Sequence, residues 1–331
     1  PDAMQAGGRI HRMIQKRMGA DYHAEVSLRY RYETEKYDVI IEGRADGIIM
    51  EETETAGRMP ELPDGNTIQT MEEAEAPVIR KHVSVTIDEI KGTYRDLAKM
   101  KQAVPVHLAQ AKCYAYIFAV QNYLESIHVR MTYCQLEMAD MTDLSGAEIR
   151  YFHYDYTLDE LQAWFDGVME QYKKWTDYTF DWQEIRQTSI KALSFPFAYR
   201  EGQKELASYV YRTIYHKRKL FIEAPTGVGK TLSTVFPAVK AVGEGLLEKI
   251  FYLTAKTITR TVAEDTFQLL RNHGLQFKTV ILTAKEKICF LEEMECNPEA
   301  CPYAKGHYDR INEAMYALLT QSDSFQREKI E

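Results

Sequence analysis

The sequence predicts a protein of two α/β domains in tandem. At 331 residues, the chain is longer than one average hydrophobic core accommodates. Its first half combines strand-like segments of alternating hydrophobicity with amphipathic helices, and its second half carries short apolar runs that each precede a helix. Between Asp177 and Ser194, polar and aromatic residues occur without a helix or strand periodicity. We therefore predict one domain at 1–185 and a second at 190–331.

The composition is that of a soluble globular protein, with no apolar run long enough for a membrane span and no signal peptide. The net charge is −8, but eight acidic residues face a single Arg58 between Glu51 and Ala76. We interpret that segment as a solvated loop between two strands, and its removal leaves a nearly neutral chain with room for local basic grooves. From the lack of a membrane span and signal peptide we expect a cytoplasmic location, and five cysteines in such a chain do not indicate a disulfide framework.

The first predicted elements are a helix and a pair of strands. Apolar and basic residues alternate at helical spacing from Ile10 to Met18, with His11 on the first turn. Strand-like segments follow at 24–32 and 37–41, and the second runs into Gly43–Met50, where two glycines flank Asp46.

The later elements of the first half complete a predicted sheet. A strand of period two runs from Val83 to Gly92 and ends on Glu89-Ile90-Lys91. An amphipathic helix begins at His107. Two further strands are predicted at 127–136 and 148–154, followed by a helix with an N-cap at Thr157 that runs to about Trp175.

Asp46 and the Glu89-Ile90-Lys91 triplet form a candidate site for metal-dependent phosphodiester hydrolysis. Carboxylate oxygens bind Mg²⁺ or Mn²⁺, which polarises a phosphate and activates water. Side chains two residues apart share one face of a strand, so Lys91 is expected beside Glu89. There its ammonium can orient the water or offset charge that develops on the phosphate.

The segment from about Gly7 to Tyr133 resembles the RecB-like branch of the PD-(D/E)xK nucleases. The resemblance rests on Gly-x-x-His at His11, Gly-Arg-x-Asp-Gly at Asp46, Glu-x-Lys, and Gln-x-x-x-Tyr on the next helix, in that order. It implies a mixed sheet flanked by helices. The roles it implies are metal ligation by His11, Asp46, Glu89 and the Ile90 carbonyl, catalysis by Lys91, and substrate contacts by Gln110 and Tyr114.

Other interpretations of these residues stay open at this point. His11 fits a surface histidine, and Asp46 between glycines fits a turn. Tyr114 shares an apolar stripe with other helix residues and fits a core position. We interpret Cys113 and Cys134 as small core residues.

The most specific motif of the second half is Glu-Ala-Pro-Thr-Gly-Val-Gly-Lys-Thr at Glu223–Thr231, after the apolar run Leu220–Ile222. A strand, a glycine turn and Lys-Thr opening a helix form the arrangement that holds a nucleoside triphosphate. Backbone N–H groups of the turn face the phosphates, Lys230 lies near the β and γ groups, and the Thr231 hydroxyl can hold Mg²⁺. The predicted nucleotide-binding residues also include Ala224, Thr226, Gly227 and Gly229.

Two strand-like segments after this motif end in the same residues, Thr-Ala-Lys. One includes Thr254 and Lys256, and the other ends at Lys285. The carboxyl ends of parallel strands line the crevice in which ligands bind, and hydroxyl and Lys side chains there suit phosphates along a nucleic-acid strand. We predict substrate contacts by Thr254 and Lys256, with solvated loop ends as the alternative.

Three cysteines, Cys289, Cys296 and Cys301, lie within thirteen residues. Such spacing in a reducing compartment indicates a metal or cluster site. Zinc requires four ligands, of which His307 could supply one, and an iron–sulfur cube also requires four as a rule. Incidental cysteines are the remaining interpretation.

The second half resembles the superfamily 2 helicases more than the GTPases, because Ala224 stands where the latter carry glycine. The order of nucleotide turn, Thr-Ala-Lys strand, second strand and cysteine cluster is similar to the XPD/DinG iron–sulfur helicases. This resemblance implies a partial RecA-like parallel α/β motor domain with a cysteine-rich insertion. It also implies Gln203, behind the aromatic run 195–199, as the adenine contact. The cysteines would hold a [4Fe–4S] cluster whose fourth cysteine follows Glu331, with zinc as the alternative.

Together the two resemblances predict part of an ATP-dependent DNA helicase and nuclease for DNA processing or repair. An ATP-driven motor would supply single-stranded or forked DNA to the phosphodiesterase. The chain begins without Met and ends in a helical pattern, so we expect a piece of a longer protein. Such a piece would hydrolyse almost no ATP, because no water-positioning carboxylate or transition-state arginine is evident. Two alternatives stay open: a helicase whose nuclease-like domain is a DNA-binding clamp, and a regulatory ATPase or redox sensor.

Overall fold

A computed structural model of the protein describes residues 2–56, 79–136, 146–225, 227–255 and 258–327. Its internal contacts divide the chain between Gln171 and Tyr172 into two compact units, here called the first and second unit. The division falls inside a long helix. The sequence prediction had placed it later, between 185 and 190.

Helices and strands are numbered in chain order. The helices are α1 Asp2–Gln15, α2 Pro105–Gln121, α3 Leu158–Ala192, α4 Gln203–Tyr215, α5 Lys230–Gly243, α6 Ile258–Asn272 and α7 His307–Gln321. The strands are β1 Tyr22–Glu33, β2 Asp38–Ala56, β3 Ile79–Thr93, β4 Ser126–Gln135, β5 Ile149–Thr157, β6 Thr279–Val280 and β7 Ser324–Phe325.

The first unit is built on a mixed five-stranded sheet in the order β1-β2-β3-β4-β5. Neighbouring strands run antiparallel except for β3 and β4, which are parallel. A parallel pair needs a crossover connection, and α2 supplies it. The sequence prediction of a mixed sheet flanked by helices is therefore confirmed at this level.

The two faces of the sheet pack against different helices. Because side chains alternate along a strand, Ile87 and Ile90 of β3 point to opposite faces. Ile87 packs in the main core with the buried residues of α2, such as Ala115 and Ile117. Ile90 packs on the other face with Ile10 and Ile14 of α1. The strand that carries Glu89 and Lys91 is thus covered by helices on both faces.

Most predicted elements of the first unit are confirmed, with boundaries shifted by a few residues. Helix α1 begins before Ile10 and ends at Gln15, earlier than expected. The predicted acidic loop is wrong for residues 51–56, which extend β2, and its residues 57–76 lie outside the described part of the chain. Cys134 is buried and Cys113 packs against the main core, in agreement with their interpretation as core residues.

Helix α3 was predicted to end near Trp175, but it continues to Ala192. Its extension is stabilised by contacts that a local pattern does not reveal. The ammonium of Lys240 donates to the carbonyls of Ile190 at 2.7 Å and Leu193 at 3.1 Å, and so caps the C-terminus of the helix. Gln187 donates to the carbonyl of Val242 at 3.2 Å.

The second unit has a core of helices rather than the predicted parallel sheet. Its buried residues come mainly from the end of α3, α5, α6 and the loop after α6. The predicted strands at Leu220–Ile222 and Lys249–Leu253 are irregular, and Phe221, Phe251 and Leu253 are exposed. The third predicted strand is reduced to β6, which pairs in parallel with β7. A strand forms only where a neighbour supplies hydrogen bonds, and the described residues place none beside the first two segments.

Candidate functional site

Asp46 lies at the end of the ladder between β2 and β3, which begins at Gly47 and Asp88. One oxygen of its carboxylate accepts a hydrogen bond from the Ile90 N–H at 2.8 Å. The other lies 3.0 Å from Nδ1 of His11 on α1. Both side chains are largely buried, with 13% of Asp46 and 23% of His11 exposed. The structure therefore brings together His11, Asp46 and the backbone N–H of Ile90.

Glu89 and Lys91 share the opposite face of β3 from Ile90, toward α2. Lys91 Nζ donates to Glu89 Oε1 at 2.7 Å and to Gln110 Oε1 at 3.1 Å. The Gln110 amide in turn donates to the hydroxyl of Tyr114 at 3.1 Å. Gln110 and Tyr114 are one turn apart on α2, so a single helix face holds the lysine in place. The structure joins Glu89, Lys91, Gln110 and Tyr114 in one hydrogen-bonded chain.

The Glu89 carboxylate is the least satisfied group in this cluster. Its side chain is 1% exposed, and Oε2 has no hydrogen-bond partner among the described residues. Burial, followed by the negative charge of Asp46, raises the pKa of Glu89 from its ordinary 4.5 to about 7, although Lys91 and His11 oppose the shift. A buried acceptor without a partner is costly for folding, so Oε2 marks a place where a donor or cation would bind favourably.

Gln15 is a part of the site that sequence reasoning missed. It lies one turn after His11 on α1, and its amide donates to the backbone carbonyl of Asp46 at 2.9 Å. The same amide donates to the carboxylate of Glu25 at 2.9 Å. Glu25 lies on β1 and has a φ of 57°. Helix α1 therefore contacts Asp46 through two side chains. The spacing of four residues from His11 was the available signal, because it places both on one helix face.

A second buried network lies behind the site, on the face of β3 that carries Asp88. This carboxylate is fully buried and accepts hydrogen bonds from Tyr22 at 3.0 Å, Arg130 at 2.9 and 2.8 Å, and Thr132 at 2.6 Å. Burial, with the adjacent charge of Asp88, raises the pKa of Tyr22. Since Asp88 has four hydrogen bonds from three partners, its role is structural, and it fixes the strand position next to Glu89.

The two glycines that flank Asp46 allow close packing of aromatic rings. A Cβ at Gly47 would overlap the ring and hydroxyl of Tyr22, and one at Gly43 would lie 2.9 Å from the hydroxyl of Tyr114. These glycines let Tyr22 reach Asp88 and let Tyr114 reach Gln110. The two glycines of the Gly-Arg-x-Asp-Gly motif are thus required for side-chain packing as well as for their position around Asp46.

Within the described part of the chain, no three His, Cys, Asp or Glu side chains are arranged to hold a metal ion. In the first unit, His11 contacts Asp46, and Lys91 contacts Glu89, so one oxygen of each carboxylate already has a partner. The metal-ligand roles of His11, Asp46, Glu89 and the Ile90 carbonyl remain predictions.

In the second unit, the predicted nucleotide motif forms a glycine turn that opens a helix. Gly227 and Gly229 have φ values of 88° and 70°, in the left-handed region that favours glycine. Gly229 is the N-cap of α5, and the helix begins at Lys230. Lys230 folds back over the turn, where its ammonium donates to the carbonyls of Ala224 at 2.8 Å and Pro225 at 3.1 Å. Thr231 follows in the first turn of the helix.

Gln203 and Arg200 contact the glycine turn directly. Gln203 is buried and accepts a hydrogen bond from the Arg200 N–H at 3.0 Å. Its amide lies against Gly229, where an added Cβ would be 2.6 Å from Nε2. The Arg200 guanidinium donates to the carbonyl of Gly227 at 2.7 Å. The Arg-x-x-Gln motif therefore contacts both glycines of the turn. Sequence reasoning had assigned no role to Arg200.

Of the remaining predicted residues of this unit, the structure describes only some. Thr226 and Lys256 lie outside the described residues. Thr254 is half-buried in an irregular segment beside a cavity of about 510 Å³, which is also lined by Trp182 of α3 and Phe267 of α6. Its predicted contact with substrate stays a prediction.

The three clustered cysteines lie within electrostatic reach of Lys285. The pKa of Lys285 is raised first by its hydrogen bond to Cys296 and then by the charges of Cys296, Cys289 and Cys301. Cys301 is buried, Cys296 is exposed and Cys289 is intermediate. His307 lies at the first position of α7. The structure thus brings the three thiols near one cation without forming a metal-binding group among the described residues.

Among the described helices, none combines the length and hydrophobicity that a membrane span requires. No protein-family model matches the chain. A segment of 46 residues is 50% identical to the "Probable ATP-dependent helicase MJ0942" of Methanocaldococcus jannaschii. The match covers 14% of this chain and 7% of that protein. A crystal structure of SSO0001 superimposes with a TM-score of 0.28 and 17% identity, over 52% of this chain and 61% of that one. The chain is thus similar over one short segment to a helicase-related protein.

Proposed function

We propose that the chain is part of an ATP-dependent DNA helicase that carries a metal-dependent nuclease domain. The first unit would hydrolyse phosphodiester bonds in single-stranded or forked DNA during DNA processing or repair. The second unit would hold ATP as part of a motor. Support comes from the site geometry of the first unit, from the glycine turn of the second, and from the short similarity to a probable ATP-dependent helicase.

The observation that carries the nuclease proposal is the buried Oε2 of Glu89. Lys91 binds Oε1 of the same carboxylate, so Oε2 is open to a cation without loss of that contact. Its neighbour Asp46 contributes a second carboxylate and His11 an imidazole nitrogen, a donor set that suits Mg²⁺ or Mn²⁺. Residues His11, Asp46, Glu89 and the Ile90 carbonyl would hold the ion, which when bound supplies Lewis-acid activation of phosphate and water.

The protein groups around this position have separate tasks. Lys91 is held by Glu89 and Gln110, so its positive charge is fixed where negative charge develops on a phosphate. Gln110 is in turn oriented by Tyr114. Gln15 fixes the backbone of Asp46, and the Ile90 N–H fixes its carboxylate. A preorganised charge of this kind requires little rearrangement during reaction.

The glycine turn supports the ATP part of the proposal. Gly227 and Gly229 adopt the left-handed conformations that turn backbone N–H groups toward an anion, at the N-terminus of a helix. Lys230 donates to two loop carbonyls, and phosphate oxygens are stronger acceptors that can replace them. Thr231 and Gln203 would bind Mg²⁺ and the adenine base, respectively.

A [4Fe–4S] cluster at Cys289, Cys296 and Cys301 is kept as a proposal, with zinc bound through His307 as its alternative. The three thiols share electrostatic reach of Lys285, but among the described residues they do not form a metal-binding group, and no step of the proposed reaction passes through them. Iron, sulfide and zinc analysis of protein prepared without oxygen tests both. Absence of all three elements would overturn this part.

The nuclease proposal is tested by cleavage of fluorescent single-stranded and forked DNA with Mg²⁺, Mn²⁺ or EDTA. We expect cleavage only with metal, and a loss of about 10²- to 10³-fold in rate for Lys91→Ala. Asp46→Asn should lose at least as much. Asp38→Asn is the matched control, because Asp38 lies on the same strand in an ion pair with Arg31. Equal rates in wild type, Lys91→Ala and Asp46→Asn would contradict the proposal.

A second candidate is a helicase whose first unit is a DNA-binding clamp without catalysis. It is favoured by the contacts of His11 with Asp46 and of Lys91 with Glu89, because each of them already occupies one carboxylate oxygen. In that case, Mn²⁺ would neither bind nor support cleavage, while DNA binding would persist in Asp46→Asn. Calorimetric titration with Mn²⁺ separates the two candidates.

A further inference from the structure

A basic loop follows directly after the candidate site of the first unit. It covers Tyr94–Gln102, between the end of β3 and the start of α2. The loop borders a cavity of about 460 Å³, whose lining includes Arg95, Lys99 and Lys101. Tyr94 precedes these cations with 58% of its surface exposed. Exposed cations next to an exposed aromatic ring are the combination that binds single-stranded nucleic acids.

The loop is held by several contacts, so its cations project from a fixed backbone. Asp96 caps the short 3₁₀ helix Leu97–Lys99, and the side chain of Leu97 is fully buried. Arg150 of β5 donates to the carbonyl of Leu97 at 2.7 Å. The Ala103 N–H donates to the hydroxyl of Tyr154 at 3.2 Å. A ligand that binds here would not have to order the backbone first.

Charge remains available on this loop. Asp96 contacts Lys99 at 3.1 Å and balances it in part. In the part of the chain that the structure describes, the side chains of Arg95 and Lys101 form no hydrogen bond or ion pair. The cavity also contacts Pro105, the first residue of α2, where the positive end of the helix dipole adds to the field. Two unbalanced cations and a helix N-terminus favour an anionic ligand.

Hydrogen bonds also fix the start of α2, directly after this loop and one turn from the candidate site. The Val104 N–H donates to the hydroxyl of Tyr133 at 3.0 Å, and the same hydroxyl contacts Nδ1 of His107 at 3.0 Å. His107 lies one turn before Gln110 on α2, and Gln110 contacts Lys91. Burial, followed by the charges of Lys91 and Arg95, lowers the pKa of His107, which places both cations within electrostatic reach of this imidazole.

We propose that the Tyr94–Gln102 loop binds the DNA strand beside the candidate site, with Arg95 and Lys101 each on its own backbone phosphate and Tyr94 stacked on a base. This inference rests on the proposed function, which supplies DNA as the substrate. It adds the side from which the strand approaches the candidate site of the first unit. The loop connects β3, which carries Lys91, to α2, which carries Gln110, so a strand bound to the loop lies beside both elements.

The test measures binding of a fluorescent single-stranded oligonucleotide to the full chain by anisotropy, in EDTA and over a range of salt concentrations. For Arg95→Ala/Lys101→Ala we expect about tenfold weaker binding and a salt slope reduced by about 1.4, because each phosphate contact on a single strand contributes about 0.7. Arg29→Ala/Arg31→Ala is the matched control. It removes two exposed cations from β1 that each pair with a carboxylate. Wild-type affinity and slope in the loop variant would overturn the proposal.

Stacking is tested separately at Tyr94. We expect Tyr94→Ala to weaken binding about fivefold or more, and Tyr94→Phe to bind as wild type, since the ring face provides the contact. Equal losses in both variants would refute stacking. Inorganic phosphate at millimolar concentration should not displace the oligonucleotide; displacement would indicate a site for free phosphate instead of a strand.

Failure of this inference and failure of the proposed function give different results. Because binding is measured in EDTA, it does not depend on cleavage. If the loop variant weakens binding while no variant or metal produces cleavage, the strand site stands and the nuclease proposal fails. If cleavage needs Lys91 and Asp46 but the loop variant has wild-type KM and salt dependence, the nuclease proposal stands and the loop assignment fails.

Discussion

The first and second units hold their candidate residues in different ways. In the first unit, two helices contact a sheet from both faces. Asp46 and Lys91 each have a partner on a neighbouring element, and Glu89 pairs with Lys91 on its own strand. In the second unit, the glycine turn is held by Arg200, Gln203 and Lys230, while the apolar segments expected as strands beside it are exposed.

This difference separates two kinds of site. A site on paired strands takes its geometry from backbone ladders and buried side chains, so its residues are fixed before any ligand binds. A glycine turn takes its shape from φ values and a few polar contacts that a ligand can replace. We therefore expect substitutions in the first unit to act mainly on folding, and those in the turn to act mainly on nucleotide affinity.

The largest effect is expected for Gly47→Ala. The new methyl group would overlap Tyr22, which must move and release Asp88. Overpacking costs about 1–3 kcal/mol, and a buried carboxylate that loses a donor costs a similar amount, so unfolding should be easier by about 4 kcal/mol. Hydrogen exchange of β1 to β3, followed by mass spectrometry, measures this loss within the first unit.

Gly19→Ala is the control for that experiment, since an added Cβ at Gly19 has no atom within 4 Å. It should change the exchange of the same strands by less than about 0.5 kcal/mol. If Gly47→Ala and Gly19→Ala gave equal exchange, the fixed packing attributed to the first unit would be wrong.

The same contrast explains how much the sequence revealed. The strands of the first unit were predictable because alternating apolar residues are a local signal, and the convergence of Asp46 with Glu89 and Lys91 followed from the order of their motifs along the chain. Gln15, Arg130 and the anchors of the 94–102 loop were not predictable, since no motif marks their partners, which are 31 to 53 residues away.

In the second unit, local rules were sufficient for Gly227 and Gly229, because the turn depends on φ values that the glycines themselves permit. Local rules failed for Leu220–Ile222 and Lys249–Leu253, where apolar content predicted strands. Pairing is a tertiary property, and these segments have no strand beside them within the described residues.

The next largest effect is expected for Glu89→Gln. The pKa of Glu89 is raised from 4.5 to about 7, so the folded protein retains this proton at a higher pH than the unfolded chain. The contribution of Glu89 protonation to the free energy of unfolding is therefore fully present below pH 4.5. It decreases as the pH rises to about 7 and is lost above that pH. Glu89→Gln should stabilise the metal-free first unit by up to about 3 kcal/mol at pH 8 and by little at pH 4.

Urea unfolding at both pH values, with EDTA present, measures this difference. Glu42→Gln is the control, because Glu42 is 63% exposed in its pair with Arg29. A pH-independent difference between Glu89→Gln and wild type would show that Oε2 is satisfied in solution. The variant should also lose any stabilisation that Mn²⁺ provides to the wild type.

A smaller effect is expected for Gly229→Ala in the nucleotide turn. Alanine at a φ of 70° costs about 1–2 kcal/mol, and its Cβ would also press on the Gln203 amide at 2.6 Å. Gly245→Ala is a close control, since Gly245 has a φ of 71° with open space around it. Gly229→Ala should destabilise the second unit more than Gly245→Ala because of this additional contact, and only Gly229→Ala should weaken binding of a fluorescent ATP analogue. Equal affinity in the two variants would contradict the contact between Gln203 and the turn.

The smallest effect is expected for Arg200→Ala, which removes one charge-assisted hydrogen bond to the Gly227 carbonyl. Because this contact is exposed, its loss should cost about 0.5–1 kcal/mol, which corresponds to a two- to fivefold weaker affinity for the ATP analogue. Arg212→Ala on α4 removes an equal charge from the same unit without touching the turn. If both variants reduced affinity equally, the effect would be one of net charge. A decrease confined to Arg200→Ala, with unchanged unfolding of either unit, would establish that the turn is tuned by polar contacts and not by the packing that fixes Asp46 and Lys91.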